Sequence, residues 1–342
     1  MCSRKRAGGD GARYYKAQPS RPAVMAAEPM PTGSVYSDRE EDDHPHYDEL
    51  GSFEEVCHEF GIRWRGAPTV RRKQFELHDG RVLSGLRWGD APPELVLLHG
   101  GKQNAHAWDA VALSLNRPLL ALDLPSHGHS DTAKDGLHDP ASLAADIAEV
   151  MDVGAPSAKV VCGMSLGGLA VIALSAARPD LVRRLVLIDV TPGITTKRPP
   201  KVMEFECCDG GVRSYPSFSA LLGRVVKHNP TRPREWLRRA ILHNAVQRED
   251  GTWIWRHDRH PRKHPRRSAF AQLWEQAESI GVPTMLVRGL LSAMVDSDDE
   301  AELQRRLPSL RVERLQDAGH NVQGDQPIAL AAALESFMGA AL

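Results

Sequence analysis

The sequence predicts an α/β fold, in which a mostly parallel β-sheet is covered by helices on both faces. Short apolar runs rich in β-branched residues alternate with longer segments whose apolar residues recur at helical spacing. A hairpin pattern around His78-Asp79-Gly80 opens the series, and strand–helix units follow it. Such units favour parallel strands, because each helix returns the chain to the same end of the sheet.

Each element is predicted from its own local pattern. Residues 71–77 and 82–88 form the hairpin, and the later strands are short apolar runs of the kind buried on both faces. These later strands are expected at 94–98, 118–124, 159–162, 184–188, 284–288 and 312–315. Helices are expected where apolar residues keep helical spacing, as between Leu50 and Phe60, or where a small-residue run stops at Arg178-Pro179. They are 47–60, 105–115, 142–151, 169–177, 299–306 and 328–337.

Composition limits the class of protein. The chain has 342 residues, of which 42% are hydrophobic and 25% charged, with a formal net charge of −1. This balance is typical of a globular protein and predicts no general attraction to nucleic acid or to an anionic membrane. No apolar run reaches the length of a membrane span, and none follows the basic Arg4-Lys5-Arg6. The five cysteines lack the spacing of a disulfide framework, so we expect free thiols in a cytoplasmic protein.

The patterns divide the chain into four segments. Residues 1–45 are rich in Gly, Pro, Ser and charge, and are expected to form a disordered tail. Residues 46–191 and 269–342 carry the strand–helix pattern and are expected to form the core. Residues 192–268 interrupt that pattern, so we predict a cap of helices and loops inserted over one end of the sheet.

The segment Gly163-Met164-Ser165-Leu166-Gly167 lies between a predicted buried strand and a predicted helix of small residues. A serine on such a strand-to-helix turn is held on a sharp bend, with glycine at both flanks. The bend raises Ser165 Oγ above the sheet and directs the Leu166 N–H toward the same point. We therefore predict that Ser165 is a nucleophile.

A nucleophilic serine needs a base for its proton and an acid that orients the base. His320 is the candidate base, because it follows Gly319 on the loop between the last predicted strand and the final helix. His127 and His129 are expected to brace a loop instead.

From about residue 66 to 342 the chain resembles the α/β-hydrolase superfamily, in its cap-bearing esterase and lipase-like branch. The resemblance is carried by the serine turn and by four further segments in matching order and spacing: His99-Gly100-Gly101, residues 123–131, Leu187-Ile188-Asp189 and Gly319-His320. It implies an eight-stranded sheet whose second strand is antiparallel, and it implies no organic cofactor.

The acid departs from the pattern of that family. Many members carry an aspartate after the seventh strand, where this chain has Ser292, and a serine cannot hold an imidazolium by charge. Asp189 ends the strand beside the serine's own strand, a place from which some members take the acid. We therefore predict Asp189 as the acid, with Asp296 as the alternative and neither residue as the third possibility.

Further site residues are predicted on the loops and in the cap. The backbone N–H groups of Gly101 and Leu166 are expected to form the oxyanion hole. Trp253 and Trp255 alternate as in a strand and are predicted to line an apolar substrate pocket, the alternative being the core of the cap itself. The histidines within 257–264 have metal-like spacing, but the surrounding arginines would repel a cation, so we predict no metal.

These residues predict a cytoplasmic serine hydrolase that cleaves a small-molecule carboxylic ester through an acyl-enzyme. A carbon–carbon bond hydrolase or a lactonase with the same residues is an alternative, because fold and triad do not separate these chemistries. The serine at position 292 also leaves open a non-catalytic protein that binds a small ligand. No nucleic-acid or membrane partner is predicted, and the sequence leaves the oligomeric state open.

Overall fold

An eight-stranded β-sheet forms the centre of the computed structural model, which describes residues 45, 47–133, 136, 138–193, 214–230, 232–258 and 270–339. The strands are β1 (Val70–Glu76), β2 (Val82–Trp88), β3 (Leu95–Leu98), β4 (Leu119–Asp123), β5 (Val160–Met164), β6 (Leu185–Ile188), β7 (Ala245–Gln247), β8 (Trp253–Trp255), β9 (Thr284–Gly289) and β10 (Arg311–Leu315). The central sheet has the order β1-β2-β4-β3-β5-β6-β9-β10, and β7 pairs with β8 in a separate hairpin. Strand β2 is antiparallel to both neighbours, and the other pairings in the central sheet are parallel. The predicted fold class is confirmed.

The described helices are α1 (Phe53–Phe60), α2 (Asp109–Leu115), α3 (Pro140–Gly154), α4 (Leu166–Ala177), α5 (Phe218–His228), α6 (Arg234–Asn244), α7 (Leu273–Glu278), α8 (Ser297–Arg306), α9 (Val322–Asp325) and α10 (Pro327–Gly339). Two predicted helices are shorter than expected. Helix α1 begins at Phe53 rather than at residue 47, because Tyr47 and Glu49 bind side chains elsewhere in the protein. A 3-10 turn occupies Ala105–Trp108 before α2. Within the described ranges, no helix combines the length and the apolar character that crossing a bilayer requires.

The sheet is buried on both faces. In β3, Leu95 and Leu97 pack into one apolar cluster, whereas Val96 and Leu98 pack into the other. This alternation follows from the two-residue period of a strand. Helices α3, α4, α7 and α8 supply residues to the cluster of Val96, and α1, α2 and α10 supply residues to the cluster of Leu95. The ends of β5, β6 and β9 are thereby fixed in a rigid frame.

The described part of the predicted cap has a small apolar core of its own. Residues 214–230 and 232–258 lie in the chain between β6 and β9, and they contain α5, α6 and the β7–β8 hairpin. The cluster that joins these elements consists of Tyr215, Phe218, Leu221, Leu222, Leu237, Ile241, Ala245 and Trp253. The limits of the cap at 192 and 268 stay a prediction, because 194–213 and 259–269 lie outside the described residues. Positions 1–44 of the predicted tail also lie outside them.

The segment before the sheet joins the cap to the core. The Tyr47 hydroxyl lies 3.0 Å from Nδ1 of His243, a residue of α6. Glu59 of α1 forms an ion pair with Arg239, also on α6. On the core side, the ring of Phe53 packs 4.9 Å from that of Trp88. Helix α6 is therefore held against the core through residues that precede the first strand.

Candidate active site

Ser165 lies on the turn between β5 and α4 with a strained backbone. Its φ of 49° and ψ of −113° place a non-glycine residue in a region that L-residues avoid. The flanking glycines make the turn possible, because a Cβ on Gly163 would lie 2.4 Å from the Gly167 carbonyl oxygen. A Cβ on Gly167 would in turn lie 2.5 Å from the carbonyl oxygen of Leu98. The turn is therefore sharp and closely packed, and its role as a nucleophile elbow stays a prediction.

The loop after β3 lies directly against Ser165. A Cβ built on Gly100 would be 3.3 Å from Ser165 Cβ. The Gly100 N–H donates to Gln103 Oε1 at 3.0 Å, and the Lys102 N–H donates to His127 Nε2 at 3.1 Å. Between them, the Gly101 N–H has no acceptor within the described residues. Leu166 opens α4, where backbone N–H groups lack helical partners. These two N–H groups are available for an oxyanion.

Two buried histidines hold this loop. His99 Nδ1 donates to the Gly100 carbonyl at 2.7 Å, while His99 Nε2 accepts from the Leu124 N–H at 2.9 Å. His127 Nδ1 donates to the Pro125 carbonyl at 2.9 Å, which leaves its Nε2 to accept the Lys102 N–H. Burial lowers the pKa of both imidazoles, so both are neutral near pH 7. His127 therefore braces the loop, as expected.

His320 and Asp189 are brought together from distant parts of the chain. His320 lies on the loop after β10, and its Nδ1 is 2.7 Å from Asp189 Oδ2. Asp189 directly follows β6, is fully buried and has a φ of 48°. Its Oδ1 accepts the Gly289 N–H at 3.2 Å, and its Oδ2 also accepts the Ser292 hydroxyl at 2.5 Å. The buried carboxylate is therefore fully hydrogen-bonded.

Asp296, the alternative acid, is engaged elsewhere. Its Oδ1 accepts the N–H groups of Asp298 and Asp299 at 3.0 and 2.9 Å, and it caps α8. Asp299 Oδ2 in turn accepts the Asp296 N–H at 3.2 Å, which completes a capping box. Of the two candidates, the structure thus places Asp189 on His320. Asp299, in the first turn of α8, is only 2% exposed.

A glutamine that the sequence analysis missed connects the two halves of the site. Gln103 Oε1 accepts the Gly100 N–H, and it also accepts the Gln323 side chain at 3.0 Å. Gln103 Nε2 donates to Oδ1 of Asn321, the residue after His320, at 3.0 Å. The loop after β3, which carries Gly100 and Gly101, and the loop that carries His320 are therefore held by one side chain. No local pattern marks this residue, since its partners lie 218 and 220 positions away.

The two predicted pocket tryptophans have different surroundings. Trp253 is 7% exposed and packs 5.2 Å from Phe218, within the cap's own cluster. Trp255 stacks on His257 with ring centroids 5.8 Å apart, and His257 lies 6.2 Å from His127. The structure thus places Trp253 in the cap core, which was the alternative. A pocket role for Trp255 stays a prediction.

Within the described ranges, His106, Asp109 and His243 place their nitrogen and oxygen donors within 4.8 Å of one another, as a metal would require. The two imidazoles stack at 3.7 Å with 13° between their planes, so their lone pairs run side by side rather than converging. Burial lowers the pKa of His106, but Asp109 and Glu49 raise it further, to about 9. When His106 is protonated, it forms a buried ion pair with Asp109, whose Oδ2 lies 2.8 Å from His106 Nδ1. In the 257–264 group, His260 and His264 lie outside the described residues.

The comparisons with known proteins agree with this fold. A model described as "Alpha/beta hydrolase family" matches residues 95–333. Esterase Rv0045c of Mycobacterium tuberculosis is 41% identical over 267 residues, which cover 77% of this chain and 87% of that protein. A solved structure of that esterase aligns with a TM-score of 0.77 at 38% identity, covering 86% of this chain and 100% of the other.

A more distant relative is the sn-1-specific diacylglycerol lipase ABHD11 of Danio rerio. It is 25% identical over 281 residues, which cover 77% of this chain and 81% of the lipase. The family model spans more than half of the chain, and the resemblance seen in the sequence is confirmed. This chain belongs to the alpha/beta hydrolase family.

Proposed function

We propose that this protein is a serine hydrolase that cleaves carboxylic esters of small molecules through an acyl-enzyme intermediate. The observation that carries the proposal is the 2.7 Å hydrogen bond from His320 Nδ1 to the buried Asp189 carboxylate. Ser165, on its strained turn, donates its N–H at 3.2 Å to the carbonyl of Ile188, the residue before Asp189. A carboxylate only accepts hydrogen bonds, so Nδ1 carries the proton and Nε2 is left as a base. The relatives named esterase and lipase support an ester as the substrate.

In the first half of the reaction, His320 Nε2 takes the proton of Ser165 as Oγ attacks the ester carbonyl carbon. The carbonyl oxygen becomes negatively charged and is stabilised by the N–H groups of Gly101 and Leu166. The tetrahedral intermediate then breaks its bond to the alcohol oxygen. His320 returns its proton to that oxygen, which releases the alcohol and leaves the acyl group on Ser165.

In the second half, water attacks the acyl carbon while His320 Nε2 takes a proton from the water. The bond to Ser165 Oγ breaks, and the proton passes from His320 to Oγ. The products are one carboxylic acid and one alcohol for each ester and water consumed. Asp189 stabilises the imidazolium in both halves without itself being protonated.

The test combines turnover with covalent labelling. We expect hydrolysis of p-nitrophenyl esters and labelling by a fluorophosphonate, with the label located on Ser165 by peptide mass spectrometry. Ser165→Ala should lose both and lower kcat by about 10⁴-fold or more. Ser279→Ala is the matched control, since the Ser279 hydroxyl binds the Gln276 carbonyl on the helix α7 end, in an exposed position.

Retention of more than about a tenth of the wild-type rate in Ser165→Ala would contradict the nucleophile assignment. A wild-type protein that neither turns over esters nor takes the label would favour a non-catalytic, ligand-binding protein. Including lactones and a β-diketone among the substrates separates ester hydrolysis from the alternatives with the same residues.

The buried thiols fit the proposed cytoplasmic location. Cys57 and Cys162 are free and buried, and burial raises the pKa of both thiols. Neither of these two cysteines is therefore expected to act as a nucleophile.

A further inference from the structure

The carboxylate oxygen that contacts His320 has a second donor. Asp189 Oδ2 accepts from His320 Nδ1 at 2.7 Å and from Ser292 Oγ at 2.5 Å. Its other oxygen accepts the Gly289 N–H at 3.2 Å. Asp189 is fully buried, so these three donors replace the water that a carboxylate needs. Two of the three come from one short segment, because Gly289 ends β9 and Ser292 lies in the turn that follows it.

The Ser292 hydroxyl is itself oriented. Its oxygen accepts the Met294 N–H at 3.1 Å, and the Ser292 N–H donates to the Gly289 carbonyl at 3.0 Å. A hydroxyl has one proton to donate. Because the Met294 N–H occupies a lone pair of Oγ, the proton is directed at Asp189. The turn therefore presents a fixed donor to the carboxylate rather than a freely rotating one.

We propose that Ser292 is a positioning residue that holds Asp189 in the orientation and the charge state that His320 requires. The inference rests on the proposed serine-hydrolase function. Ser292 prevents the carboxylate from turning Oδ2 away from Nδ1, and it stabilises the ionised form at a fully buried position. Within the described residues, the Ser292 side chain hydrogen-bonds to Asp189 and Met294, so we expect it to act through Asp189.

The Ser292 hydroxyl also affects the charge that Asp189 presents to His320. A hydrogen bond draws negative charge from the oxygen that accepts it, here Asp189 Oδ2. Without the hydroxyl, Oδ2 would present more negative charge to the imidazolium of His320. We therefore expect a variant without the hydroxyl to need a higher pH for activity.

The experiment compares Ser292→Ala with Ser292→Thr, which keeps the hydroxyl. For Ser292→Ala we expect kcat to fall by about tenfold to a hundredfold, because a hydrogen bond to a buried charge is lost. KM should stay about the same, and the acid limb of the pH profile of kcat/KM should move to higher pH. Ser292→Thr should recover most of the rate and the wild-type profile.

The matched control is Ser142→Ala. Ser142 Oγ also donates to a carboxylate, Asp139 Oδ2 at 2.7 Å, but at the exposed start of α3. It should leave kcat and the pH profile unchanged. A purely structural role for Ser292 would lower the melting temperature and leave the profile of the folded enzyme in place. If Ser292→Ala does not fold, Ser292→Cys, with a similar volume and a weaker donor, takes its place with the same expectations.

The proposal is overturned if Ser292→Ala keeps the wild-type kcat and pH profile. It is also overturned if Ser292→Thr loses as much kcat as Ser292→Ala. Its failure is distinguishable from that of the proposed function. Wild-type turnover and fluorophosphonate labelling of Ser165 test the hydrolase itself, whereas the Ser292 variants are compared within an enzyme already shown to turn over. A wild type without turnover or labelling overturns both.

Discussion

Asp189 Oδ2 accepts a hydrogen bond from His320 Nδ1 at 2.7 Å, although 131 positions separate the two residues in the chain. Asp189 is held at a φ of 48° between the Ile188 end of β6 and the β9 strand, to which its N–H donates at Val287. A side chain with so little freedom fixes the plane and the tautomer of the imidazole. The relationship determines which acid we expect the enzyme to use.

Asp189→Asn is expected to lower kcat by about 10⁴-fold, because the amide lacks the negative charge that stabilises the imidazolium and favours the wrong tautomer. Asp296→Asn should leave kcat nearly unchanged, since asparagine caps a helix about as well as aspartate. The measurement is kcat for both variants on one ester, with the melting temperature as the control for folding. An inactive Asp296→Asn beside an active Asp189→Asn would assign the acid to the segment after β9.

A double variant that transfers the carboxylate from position 189 to position 292 gives a sharper test of the acid. Ser292 Oγ lies 2.5 Å from the atom that contacts His320, so an aspartate at 292 can place a carboxylate oxygen near Nδ1. The variant Asp189→Asn/Ser292→Asp should therefore recover roughly tenfold or more of the rate lost in Asp189→Asn. The rates are compared at equal labelling by a fluorophosphonate. No recovery would show that position 292 supports only a neutral donor.

The parts of the site that local sequence determines were predictable, and the parts that depend on distant contacts were not. Ser165 and His320 are marked by neighbouring glycines and by their place after a strand. The sequence marks Ser292 only as a serine where many family members have an aspartate. Its hydrogen bond to Asp189 joins residues 103 positions apart, so no local pattern predicts it. Gln103 carries no local signal, because a glutamine on a loop is usually solvated. Hydrogen bonds between side chains far apart in the chain leave no periodic pattern in the sequence from which they could be predicted.

Gln103→Leu should slow the chemical step while leaving binding almost intact. The change removes the acceptor of the Gly100 N–H and the donor to Asn321. The loop after β3 and the loop that carries His320 therefore lose their common support. We expect kcat to fall about tenfold, less than the 10²-fold or more that loss of an oxyanion donor itself causes. Gln276→Leu, on α7, is the control. An unchanged kcat in Gln103→Leu would show that the loops are held without this side chain.

The buried His106 should make the stability of the protein depend on pH. Asp109 and Glu49 outweigh the effect of burial and raise the pKa of His106 to about 9, above its ordinary value of about 6.5. The stabilisation from its charge is therefore fully present below pH 6.5 and is lost as the pH rises through 9. We expect the free energy of unfolding to fall by on the order of 3 kcal/mol across this range. Denaturant titrations at several pH values measure it.

His106→Gln provides the reference for that measurement, because glutamine does not titrate. The variant should be less stable than the wild type at pH 6.5, and the difference should shrink toward pH 9.5. If the free energies of unfolding of the wild type and of His106→Gln change in parallel from pH 6.5 to 9.5, His106 is neutral throughout. Its hydrogen bond to Asp109 is then not an ion pair.

The N-terminal region should divide sharply into a dispensable part and a required part. The composition of residues 2–44 cannot bury enough apolar surface to offset the entropy of ordering, so their deletion should leave kcat/KM within about threefold. Deletion of 2–61 is different. It removes Phe53 from Trp88, the Glu59 ion pair with Arg239, and the Tyr47 contact with the cap.

The longer deletion should therefore lower the melting temperature by more than about 5 °C, because loss of one buried phenylalanine alone costs about 3 to 5 kcal/mol. It should also raise KM more than it lowers kcat, since α6 of the cap loses its support while Ser165, His320 and Asp189 keep their frame. Arg239→Ala in the full chain isolates the cap contact and should reproduce the KM effect with a smaller loss of stability. If deletion of 2–44 alone collapses the activity, residues of the tail contact the enzyme. If deletion of 2–61 changes neither KM nor stability, the cap is held to the core by its other contacts, among them the hydrogen bond from the Asn104 amide to the His243 carbonyl.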